Sequence, residues 1–132
     1  MGITTRTNGQ FLVDFEPLPA DDEAIGRMLV TKAFTGGLVG SSVAQMLSVG
    51  TPIEGSAGYV AVERVTGILD GRRGTFVLQH TATMRRGETN LVVTVVPDSG
   101  TDELCGLSGA VTIENLGSHH TYEFAYAVDP RT

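Results

Sequence analysis

The chain has 132 residues, of which 41% are apolar and 18% charged, with a net charge of −6 and one cysteine. That composition fits one globular domain over residues 1–132. It excludes a disordered chain, a disulfide scaffold and a nucleic-acid partner, which needs a clustered positive footprint. The start carries no charged-then-apolar leader and no apolar run reaches about 18 residues, so a protein of the reducing cytoplasm with no membrane partner is expected.

Glycine-containing turns cut the chain into short alternating pieces. Phe11, Val13 and Phe15 share one face of a first strand. Asp21 to Lys32 allows an acidic helical turn, but reads better as a loop entering a second strand. There Met28, Val30, Lys32 and Phe34 face one way, and Arg27, Leu29, Thr31 and Ala33 the other. "GLVGSSVAQMLSV" fits either period, and its small residues argue against a helix. "GYVAVERVTGIL", "GTFVLQHTATM", "NLVVTVVP", "LSGAVTIEN" and "HTYEFAYAV" follow, separated by turn signals such as "DGRRG" and "RRGETN". Eight consecutive strands with tight connections predict an all-β, antiparallel up-and-down sheet that removes its edges by closing into a barrel.

A closed eight-stranded barrel has room inside for side chains or one small ligand. In "GTFVLQHTATM" the more apolar face holds Phe76, Leu78, His80, Ala82 and Met84, which points His80 into the lumen. Glu63 shares a face with Tyr59, Ala61 and Val65 on the preceding strand, so a Glu63–His80 contact is feasible. A carboxylate buried there without a partner has its pKa raised, which suits a general acid or base. The plainer readings are a structural histidine and a salt bridge from Glu63 to Arg27 or Arg64. Arg27 could clamp a substrate oxygen from the rim or sit on the surface. Tyr59, Tyr122 and Tyr126 offer rings with hydroxyls, and the Tyr122, Phe124 and Tyr126 stripe also reads as core. His119 and His120 lack further metal ligands at suitable spacing, and Cys105 reads as an inert buried thiol.

The stretches "GSAGYVAVERVTGILDGRRGTFVLQHTATM", "VVPDSGTDELCGLSGAVTI" and "HTYEFAY" resemble a bacterial family of unknown function, similar in fold to the allene oxide cyclase barrel. The resemblance runs from about Phe11 to Val128. Asp98 stands where that family's turn usually has glycine, a position Asp tolerates. The resemblance implies an allene oxide cyclase-like barrel whose apolar cavity steers an intramolecular reaction. Catalysis would fall to Glu63 and His80, and substrate contact to Arg27, Tyr59, Phe76, Leu78, Tyr122 and Tyr126. The expectation is a barrel for a small lipophilic molecule, either a cyclase or isomerase that needs no cofactor or metal, or a non-catalytic ligand-binding or assembly module. A lumen filled by its own side chains is the third alternative. A homo-oligomer is expected, because the Val-rich strands have more apolar faces than one lumen hides.

Overall fold

A computed structural model describes residues 4–129. Eight antiparallel strands run β1 (Thr5–Asp22), β2 (Ile25–Gly36), β3 (Leu38–Gly50), β4 (Ala57–Leu69), β5 (Arg72–Arg85), β6 (Glu88–Val95), β7 (Leu107–Asn115) and β8 (His120–Val128). Each pairs with its neighbour in sequence, and β1 pairs with β8, so the barrel is closed and up-and-down. A single turn of 3-10 helix, Asp102–Leu104, lies between β6 and β7.

The predicted alternation holds because each strand has one face to bury. The segment that fitted either period is a 13-residue strand, β3, whose inward residues Leu38, Ser42 and Ala44 are buried. The acidic stretch after Ala20 is neither helix nor long loop: β1 runs to Asp22 and turns back into β2 through Glu23 and Ala24. Two-residue turns with both residues in the left-handed region join β4 to β5 (Asp70 φ 46°, Gly71 φ 87°) and β5 to β6 (Arg86 φ 49°, Gly87 φ 91°). Such turns match the right-handed strand twist. Asp98 also adopts φ 62°, the conformation a glycine would take at that turn.

The interior has two unequal halves. The end holding the β2–β3 and β4–β5 turns is packed solid by Phe34, Leu38, Val65, Leu69, Phe76, Leu78, Val93, Leu107, Tyr122, Phe124 and Tyr126. Leu104 of the 3-10 turn is fully buried beneath them. Tyr122 Oη accepts from the Leu38 N–H at 2.9 Å and donates to the Thr35 carbonyl at 2.9 Å. Tyr126 donates to Asp70. The filled-lumen alternative therefore describes this half. The other end, with the β1–β2, β3–β4, β5–β6 and β7–β8 connections, stays open.

Candidate functional site

Four adjacent strands each send one polar side chain inward at the boundary between the halves. Lys32 comes from β2, Ser42 from β3, Glu63 from β4 and His80 from β5. Lys32 stands opposite Ser42 in the ladder, while Glu63 reaches both Ser42 and His80 diagonally. One cross-strand neighbour of each of Glu63 and His80 is small: Ala44 faces Glu63 and Ala61 faces His80. That spacing leaves room for the polar groups and a void beside them.

Glu63 is fully buried, and three donors serve its carboxylate. Lys32 Nζ lies 3.2 Å from Oε1, His80 Nε2 2.7 Å from Oε1, and Ser42 Oγ 2.5 Å from Oε2. Burial alone pushes the carboxyl pKa up. The His80 hydrogen bond, the Lys32 charge, the Ser42 hydroxyl and the His80 charge together outweigh it and bring the group down to about 2. The expected rise is thereby corrected, because the acid is not left unpartnered. The partner is also neither Arg27 nor Arg64 but a lysine that the alternation had already placed on the inward face.

An ionised carboxylate can only accept, so the proton of the Glu63–His80 bond sits on Nε2. A neutral His80 then presents Nδ1 as a bare acceptor. Nδ1 has no hydrogen-bond partner among the described residues and is not sealed away. Lys32 Nζ also stands 4.8 Å from the centre of the Phe11 ring, with its remaining N–H groups uncommitted to Glu63. His120 stacks on Phe11, the two ring centres 5.1 Å apart.

Above the cluster lies a cavity of about 150 Å³, lined by Val13, Val30, Ala44, Met46, Ala61 and Leu91 around Lys32, Glu63 and His80. Phe11, Phe15, Tyr59, Ile113 and His120 complete the wall. Tyr59 also borders an apolar groove of about 340 Å³ at the mouth, with Val49, Ala57, Ala82 and Met84. Burial and the Glu63 charge raise the Tyr59 pKa, so its hydroxyl stays a donor.

The expected site residues divide accordingly. Glu63, His80 and Tyr59 come together at the cavity. Phe76, Leu78, Tyr122 and Tyr126 belong to the packed half and do not line it, a correction that follows from their lying further towards the closed end. Arg27 is on the outer wall, where Nη1 donates to the Pro19 carbonyl at 2.8 Å, and so does not reach the lumen. Cys105 is exposed, not buried, because it follows the 3-10 turn on the outside. Lys32 and Ser42 were not singled out from sequence, and His120 was weighed only as a metal ligand. Lys32 had a visible signal, a lone cation on an apolar face, whereas Ser42 lay in the segment of ambiguous period. Among the described residues no group of three or more His, Cys, Asp or Glu side chains could hold a metal ion. No helix among them is long and apolar enough to cross a membrane.

No curated protein matches the chain. A crystal structure at 1.84 Å of a protein with unknown function from the DUF3224 family of Shewanella oneidensis MR-1 superposes with a TM-score of 0.93 at 42% identity, covering 98% of this chain and 100% of that one. The family described as Protein of unknown function (DUF3224) matches residues 7–126. The chain belongs to the DUF3224 family.

Proposed function

We propose that the barrel binds a small, largely apolar, neutral carbonyl compound and moves a proton on it without a cofactor, as an isomerase or cyclase does. The observation that carries this reading is the His80 ring: Glu63 holds Nε2, Nδ1 has no hydrogen-bond partner among the described residues, and His80 lines a largely apolar cavity. His80 is the base and Lys32 the donor to the oxygen on which charge develops. Glu63 acts through His80, fixing its tautomer and orientation as a carboxylate does in a catalytic triad. A neutral ligand is favoured because the Lys32 charge is already balanced by Glu63.

The volume limits the substrate. A dry cavity of about 150 Å³ holds a molecule the size of benzene, so a longer polyketide- or lipid-like substrate would place only its reacting head inside and its tail in the groove beside Met84 and Tyr59. Allene oxide cyclase-like barrels suggest cyclisation, but that is an analogy of fold and does not choose the reaction.

The test is α-proton exchange of cyclohexanone in D2O, followed by proton NMR. The wild type should exchange it well above the buffer rate, and His80→Gln should lose about 10²-fold or more of that gain. Saturable binding with exchange no faster than buffer would support the second reading, a barrel that binds without turnover. One observation favours that alternative: the Glu63 carboxylate is already engaged by three donors, as in a purely structural ion cluster.

A further inference from the structure

A second imidazole lines the same cavity as His80. His120 opens β8 at the unplugged end of the barrel, opposite Phe11 of β1 and Asn115 of β7 in the ladder. Its ring stacks on Phe11, and neither ring nitrogen has a hydrogen-bond partner among the described residues. Packing orients the ring while its proton-carrying atoms stay uncommitted. The residue is half-buried, so it can trade protons with solvent at the mouth.

The strand order spreads the polar groups round the lumen. β3 and β4 separate Lys32 on β2 from His80 on β5, β6 and β7 separate His80 from His120 on β8, and β1 alone separates His120 from Lys32. Side chains from these strands come to the void from different sides. A void of about 150 Å³ holds one six-membered ring, and all three residues line it.

His80 is tied at Nε2 to Glu63, so it works on one position of a bound molecule. A proton returned at another carbon has to come from another group. Tyr59 also lines the cavity, but it stands on β4 beside His80, and its raised pKa makes it a poor acid. Imidazole gives and takes protons near neutral pH.

We propose that His120 is a second catalytic residue and that the substrate is a β,γ-unsaturated ketone, which the barrel converts to its conjugated isomer. This rests on the reading of His80 as the base. His80 takes a proton from the carbon between the carbonyl and the double bond. The C–H electron pair moves into a dienolate whose oxygen accepts from Lys32. The imidazolium of His120 delivers a proton to the γ carbon, the carbonyl re-forms, and the double bond now lies next to it. One C–H bond breaks and one forms, with no change of oxidation state. His80 ends protonated and His120 neutral, and solvent at the open mouth restores both.

The isomerisation of 3-cyclohexen-1-one in D2O, followed by proton NMR, tests this. The wild type should form 2-cyclohexen-1-one well above the buffer rate, with deuterium at C4. His120→Phe keeps a ring to stack on Phe11 and removes the proton carrier. It should lose about 10²-fold or more of the conversion, while deuterium exchange at C2 falls far less. Its circular dichroism melt should match that of the wild type, and a variant that melts early gives way to His120→Gln, held to the same two readouts. A wild type that exchanges C2 but forms no conjugated ketone overturns the inference and leaves His80 as the base. A variant at residue 120 that converts at the wild-type rate also overturns it. So does one that loses exchange and conversion equally, which would make His120 part of the wall only. A wild type that neither exchanges nor converts the ketone removes the reading of His80 and this inference together.

Discussion

The Glu63 carboxylate governs the chemistry and the acid stability of this barrel together. Its folded pKa, about 2, lies below the ordinary value of 4.5. A depressed carboxyl contributes stability that is present above the unfolded pKa and is lost as pH falls through the folded one. The contribution is about 3 kcal/mol, and urea denaturation should show it disappearing between pH 4.5 and pH 2. Glu63→Gln should cost about 3–5 kcal/mol at pH 7, because Lys32 loses its buried partner. The Lys32→Met, Glu63→Gln double variant should cost less than the sum of the single changes, since each removes the same pair. At this scale the sequence spoke through alternation: a lone acid, a lone histidine and a lone lysine on apolar faces are each visible. Which of them touch depends on diagonal neighbours in the ladder, which require the register. Ser42 stayed hidden because a serine in a glycine- and serine-rich segment carries no pattern of its own.

Turns and close strand contacts set that register. Arg86 at φ 49° pays a steric cost that asparagine largely avoids, and its side chain makes no hydrogen bond among the described residues. Arg86→Asn should therefore stabilise the barrel by about 0.5–1 kcal/mol in thermal melts. Gly67 sits where two strands approach closely: a Cβ there would lie 2.4 Å from the Val39 carbonyl oxygen and 2.9 Å from the Gly40 Cα. Both atoms are backbone, so Gly67→Ala should lower stability by about 2 kcal/mol or more. The strands and the two-residue turns were legible because period-two alternation and Xaa-Gly pairs are local signals. The length of β1 was not. Its outer half carries Pro17, Pro19 and several acids, and it is strand only because β2 runs alongside it.

The whole molecule is a tube with one end plugged and one open, and its wall is not uniform. β6 and β7 share a single registered pair, Thr94 opposite Ala110, whereas β4 and β5 are in register from Ala57 opposite Met84 to Leu69 opposite Arg72. Hydrogen exchange should accordingly find amides along the β6–β7 seam opening before those of β4 and β5. Closure into a barrel followed from the count of strands and their short connections. The division of the lumen did not, because it depends on where along each strand the large rings fall. Phe34, Phe76, Tyr122 and Phe124 all reach the same end, and Ala44 and Ala61 the other.

The proposed chemistry requires the His80 ring to carry its proton on Nε2, towards Glu63, and to offer Nδ1 to the cavity. Long-range proton–nitrogen NMR of ring-labelled protein near neutral pH reads this directly. A pyrrole-type Nε2 is expected, with a pyridine-type Nδ1 whose shift moves when cyclohexanone is added. A proton resident on Nδ1, or an Nδ1 signal indifferent to that ligand, would contradict it.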